Sequence, residues 1–230
     1  MNVPKYNPDI LMVGEKLSQQ IQDVLKDPGK SEFHLMAKTA QMMLSSSATN
    51  DFYEKLGAEA LGFKHLDAKL GPDGVRESDN QFLEVKPRKD IVGAATLGVI
   101  NDDSAMKLKK DHTGCQWLSV LRLSKDGSKV LWALAAPFHY WEPARFAQIV
   151  NRLGLDTDPT WKWGTTFPEK PEEKVQCLDD LEKRHKKNTY VRSNDLNMKV
   201  VETIPKEEIS FWVHPSVQKD SLHAQLKRFV

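Results

Sequence analysis

The chain has 230 residues, of which 40% are hydrophobic and 28% charged. That is enough apolar material to bury a core and too much for a disordered or fibrous chain. Lysine plus arginine number 33 against 32 acidic residues, which excludes a strongly basic, non-specific nucleic-acid coat; any contact with nucleic acid has to come from local patches. The longest apolar run, VLWALAAP from Val130 to Pro137, is far short of the roughly 18 residues a membrane span needs, and no apolar signal region follows MNVPKY. A soluble, cytoplasmic protein without a membrane partner is therefore expected. Cys115 and Cys177 stand far apart with no CxxC spacing, so they read as inert packing residues rather than a disulfide or a zinc site.

The first sixty residues read as helices. Asn7 can cap a helix with Pro8 at its first position, and Ile10, Leu11, Leu17, Ile21, Val24 and Leu25 recur on one face before Pro28-Gly29 stops it. A second helix is predicted over Ser31 to Leu44 and a third from an Asn50 cap to Gly62. The pattern then turns extended, with strands over Phe63 to Leu70 and within Gly74 to Val85, and with Pro87 as a stop. Ile91 to Lys110 should hold a helix or a broken pair, with Asp102-Asp103 as a cap. Cys115 to Ser124 and Val130 to Ala136 read as a hairpin around Asp126-Gly127. Further helices follow over Glu142 to Leu153 and from Pro171 to near Lys187, then late strands over Met198 to Ile204 and Ile209 to Val213.

This order predicts an α/β protein of the α+β kind, a central mixed β-sheet flanked by helices. A single domain over 1–230 is expected, with a helical N-terminal region 1–48, a core 49–136 and a mainly helical extension 137–230.

The chemistry sits in GPDGVRESDNQFLEVKPRK, from Gly71 to Lys89. If Ser78-Asp79 forms a two-residue turn, residues whose numbers sum to 157 face each other, and Asp73 lies opposite Glu84. Alternation places Lys86 on the same face as Glu84. Cβ atoms of such a cross-strand pair are about 4.5 to 5.5 Å apart, so both carboxylates can reach one ion. Opposed like charges are destabilising unless neutralised, and a divalent cation with oxygen ligands does this. Phe82, Leu83 and Val85 make the second strand apolar around the carboxylate, and charges held there need partners. Asp73 has a rival reading, because Gly71-Pro72-Asp73-Gly74 is also good β-turn chemistry. Asp79 reads as a turn former.

Pro72-Asp73, ten intervening residues, then Glu84-Val85-Lys86 resembles the signature of the PD-(D/E)xK nuclease superfamily, whose best-known members are type II restriction endonucleases. DFYEKLGAEALGF, from Asp51 to Phe63, resembles the first core helix of that family, which often carries a glutamate. The resemblance spans roughly Asn50 to Ala136. It implies a restriction-endonuclease-like core that cuts double-stranded DNA with Mg²⁺, with Asp73 and Glu84 as metal ligands and Lys86 orienting or activating a water. Glu54 would be the supporting acid, with Glu59 as the alternative on another helical face. It also implies a homodimer on a palindromic target and a companion DNA methyltransferase.

Other candidates are weaker in their chemistry. The basic segment KRHKKNTYVR supplies Arg184, Lys186, Lys187, Asn188, Tyr190 and Arg192 as expected DNA contacts. Trp161 and Trp163 read as packing before recognition, and His139, among aromatic neighbours, as a packed histidine rather than a general base. Two competing readings remain open: a structure-specific nuclease of the same superfamily, and a non-catalytic DNA-binding protein whose hairpin carboxylates are merely solvated.

Overall fold

The computed structural model describes residues 2–45, 48–67, 71–89, 109, 114–185, 198–222, 224 and 226–230. Six strands form one sheet in chain order: β1 Lys64–His65, β2 Gly74–Arg76, β3 Gln81–Lys89, β4 Trp117–Leu123, β5 Val130–Pro137 and β6 Ser210–Val213. Neighbours are antiparallel except β3 and β4, which run parallel from Leu83↔Trp117 to Lys89↔Leu123. A parallel pair demands a long connection. The helix expected over Ile91 to Lys110, with its Asp102-Asp103 cap, falls on that connection and, Lys109 apart, lies outside the described residues.

Four helices precede the sheet: α1 Pro8–Leu11, α2 Val13–Lys26, α3 His34–Ser45 and α4 Ala48–Ala60. After β5 come α5 Glu142–Arg152, α6 Pro171–His185 and α7 Met198–Thr203. The fold is α+β, a mixed sheet flanked by helices, as the order of elements predicted. None of the helices among the described residues is long and apolar enough to cross a membrane.

Strand alternation divides the interior into two cores. Trp117, Leu121 and Leu123 of β4 and Ala133 and Ala135 of β5 pack with Leu83 and Val85 against Leu11 of α1 and Tyr53 and Leu56 of α4. Leu118, Val120, Leu134 and Ala136 face the other way, onto Phe146, Ile149 and Val150 of α5, Leu178 and Leu181 of α6, and Val201 of α7. The N-terminal helix α4 lies so close to the sheet that a Cβ on Gly57 would stand 2.8 Å from both Val85 Cγ1 and Leu121 Cδ1. This contact is what seats the helix beneath β3.

Several elements depart from expectation for identifiable reasons. The first helix is broken at Met12 (φ −86°, ψ −1°), although Asn7 caps α1 as expected, its Oδ1 accepting from Asp9 N at 3.0 Å. A 3₁₀ stretch over Pro28–Phe33 precedes α3, and Asn50 lies inside α4 rather than at its cap. Strand β3 runs through Pro87 to Lys89. Beyond Leu83 it pairs with β4 and no longer with β2, an edge position where proline's missing donor is tolerated. Met198 to Thr203 is a helix, not a strand. Val201 and Ile204 bury on one face three residues apart, and the Arg228 guanidinium donates to the carbonyls of Val201, Glu202 and Ile204 at the helix end. Both cysteines are buried and form no disulfide with each other.

Candidate active site

The hairpin adopts the register expected from spacing. Gly74 pairs with Leu83, Val75 with Phe82 and Arg76 with Gln81. The loop Glu77 to Asn80 closes it with Asn80 left-handed (φ 55°). Arg76 Nε and Nη2 grip the Asp79 carboxylate at 2.9 and 2.6 Å, so Asp79 is a turn residue.

One step beyond the ladder, Asp73 stands opposite Glu84. Its main-chain N–H donates to Leu83 O at 2.9 Å, while its side-chain Oδ2 accepts from Val85 N at 2.6 Å. The carboxylate thus takes the place of the next ladder acceptor as β2 leaves, and is pinned to β3 beside Glu84. The structure puts Asp73 at a bend one residue before β2, its main chain and carboxylate both bonded to β3.

Glu84 and Lys86 are 2% and 7% exposed. The Lys86 ammonium donates to Glu84 Oε1. Their register partners Leu118 and Val120 belong to the core under α5, so the pair faces that interior and not open solvent. Burying both charges costs several kcal/mol per ion before their attraction is counted. Solvated decoration, on which the non-catalytic reading depended, is not the environment of these two groups.

Half-buried Glu54, on α4, is the third acid. Burial, and next the negative charge of Asp73, push its carboxyl up to about 7; Lys86 opposes this, and Asp51 and Glu84 add to it. Glu59 is exposed on another face of the helix, so Glu54 is the helix glutamate that shares the field of Asp73, Glu84 and Lys86. Two arginines also lie in this field. Burial lowers the pKa of Arg88, against the attraction of Glu54 and Glu84, and brings that of Arg145 down to about 10 against the attraction of Glu84. Sequence reasoning passed over Arg145. The available signal was a charged residue on the same helical stripe as Phe146, Ile149 and Val150.

These acids suit Mg²⁺, which keeps several waters and asks for one or two carboxylates. Asp73 is bonded to the strand that carries Glu84, through Leu83 O and Val85 N, and the repulsion from Asp73 that adds to burial in raising Glu54 is what a divalent ion would relieve. Among the described residues, no three histidine, cysteine, aspartate or glutamate side chains form a ready-made metal-binding group, so the fit rests on the carboxylate pair.

The expected DNA-contact residues are not brought together here. Lys186, Lys187, Asn188, Tyr190 and Arg192 lie outside the described residues. Arg184 is bound to Asp158, donates to Thr160 Oγ1 at 2.9 Å and lies 5.4 Å over the Trp161 ring. Those contacts fasten α6 to the loop before it. They line a cavity of about 640 Å³ with Leu153, Leu155, Lys162, Asp180 and Lys183. Trp161 is a core residue. His139, expected to be packed, is exposed, its ring 4.2 Å from that of Tyr140. Comparison with models of known families finds no match for this sequence, and comparison with curated proteins finds none either.

Proposed function

We propose that the chain is a Mg²⁺-dependent, sequence-specific endonuclease that hydrolyses phosphodiester bonds in double-stranded DNA, of the type II restriction kind. The observation that carries this reading is the constellation on β2 and β3: Asp73 opposite Glu84 and pinned by Val85 N, with buried Lys86 on the Glu84 carboxylate. Helix α4, the hairpin, and then β4 and β5 follow in the order of the PD-(D/E)xK resemblance, whose second helix falls outside the described residues. Asp73 and Glu84 would hold the ion, which when bound supplies a water of lowered pKa and positive charge beside the phosphate. Lys86 orients or deprotonates the attacking water, or holds the scissile phosphate as a point charge. Glu54 supports the site through a proton that its acidic neighbours help to retain.

A palindromic target would call for a two-fold homodimer with one site per strand, and a methyltransferase of matching specificity to protect the host's cytoplasmic DNA. The test is incubation with a mixed plasmid and a branched duplex, with and without Mg²⁺. Discrete plasmid fragments that need Mg²⁺, lost in Glu84→Ala and Lys86→Ala while DNA binding persists, are the expected result. Cutting confined to branches would replace the sequence-specific reading with a structure-specific one, and no cutting of either substrate would refute both.

A further inference from the structure

We propose that the free edge of β6 binds an extended acidic peptide, which joins the sheet as a further strand. β6 stands last in the sheet and pairs with β5 alone. His214 N donates to Leu131 O at 2.9 Å, one step beyond the Trp132↔Val213 pair. Bonded and non-bonded pairs alternate along an antiparallel ladder, so Trp212 and Ser210 turn their main-chain groups towards β5. The N–H and C=O of Phe211 and Val213 therefore point the other way. Among the described residues, no main-chain hydrogen bond meets them there.

A cavity of about 380 Å³ lies along this edge. Ile209, Ser210, Phe211 and Trp212 all line it, although Phe211 packs on the core under α5 and Trp212 on the core under α4. Side chains that point to opposite faces of a strand share a cavity along its edge, not over one face. The edge is recessed between two walls. Lys5 and Tyr6 form one, where Tyr6 N donates to Ser210 Oγ at 3.3 Å. Arg228 and Phe229 form the other, with the Phe229 ring 5.7 Å from that of Phe211.

The charge of the groove selects its partner. Lys5, Lys206 and Arg228 line it and no aspartate or glutamate side chain does, in a chain that sets 33 basic residues against 32 acidic ones. Lys5 and Lys206 are exposed, and the carbonyls of Val201, Glu202 and Ile204 fix the Arg228 guanidinium in place. Among the described residues, no carboxylate is in an ion pair with any of the three. Lysines beside a sheet edge repel a second copy of the same strand, and here they attract a strand of opposite charge. Main-chain bonds to Phe211 and Val213 supply affinity, and peptide carboxylates that meet the three cations supply selectivity. Nucleic-acid bases stack on open ring faces, so a groove built on a strand edge suits a peptide better.

The probe is a fluorescein-labelled octapeptide of alternating valine and aspartate, titrated with the full chain and followed by fluorescence anisotropy. Saturable binding is expected, with slowed hydrogen–deuterium exchange at the Phe211 and Val213 amides of the wild type. Lys5→Glu combined with Lys206→Glu, both at exposed positions, should weaken binding at least about tenfold. Backbone N-methylation of the peptide should weaken it by a similar factor through loss of main-chain donors, and a peptide with lysine in place of aspartate should not bind. No saturable binding of the aspartate peptide overturns the proposal. Binding that survives N-methylation, or that leaves exchange at Phe211 and Val213 unchanged, reduces the groove to a charged surface and overturns the added strand. A single-stranded DNA oligomer that protects those amides where the peptide does not would assign the groove to nucleic acid instead.

Discussion

A carboxyl group that is buried and has another carboxylate beside it keeps its proton to higher pH, and Glu54 shows what this does to the metal-free protein. Its pKa, about 7 against an ordinary 4.5, means that between those values the folded chain holds a proton that the unfolded chain has released. The folded state is then the better proton binder, so its stability is greatest below the unfolded value and falls as pH rises from about 4.5 through about 7. In EDTA, the urea midpoint of the wild type should decline across this window, and Glu54→Gln should remove most of the decline. Glu59→Gln, on the exposed side of the helix, should leave it intact. Equal slopes in wild type and Glu54→Gln would show that folding does not raise the Glu54 carboxyl.

Between residue and fold, the close seating of α4 on the sheet is the contact most sensitive to change. A methyl group at Gly57 has to displace Val85 and Leu121 side chains that would be 2.8 Å away. Overpacking of this kind costs about 1 to 3 kcal/mol. Gly57→Ala is therefore expected to lower the melting temperature, and to lower cleavage beyond what lost stability explains, because Val85 lies between Glu84 and Lys86 and donates to Asp73. An unchanged melting temperature would mean that the helix shifts freely on the sheet. The hairpin register was legible in the sequence because a strand's period of two is rigid: once Ser78-Asp79 is placed at the turn, Asp73 and Glu84 have no choice of partner. Tertiary context hid the rest. Pro87 looks like a strand end until β3 is seen to have lost β2 as a neighbour, and Met198 to Thr203 looks extended until Arg228 caps it as a helix. Arg145 was not legible as a buried charge in the field of Glu84, since that acid belongs to a strand distant in the chain and no local spacing links them.

At the scale of the molecule, the C-terminal layer is half of the fold's interior rather than an appendage. Among the described residues, those after Pro137 supply the helices that cover Leu118, Val120, Leu134 and Ala136, as well as β6, which pairs with β5. They also hold the N-terminal region: Ser210 Oγ accepts from Tyr6 N at 3.3 Å, and His214 Nε2 meets Glu15 Oε2 of α2 at 2.6 Å. A sheet whose two faces are both apolar has to be covered on both. A chain ending at Pro137 would contain the whole hairpin and α4 yet lack α5, α6 and α7, which pack on Leu118, Val120, Leu134 and Ala136. Such a chain should show no cooperative thermal transition by circular dichroism and should aggregate or bind a hydrophobic dye. A cooperative melt near that of the full chain would make the hairpin half self-sufficient.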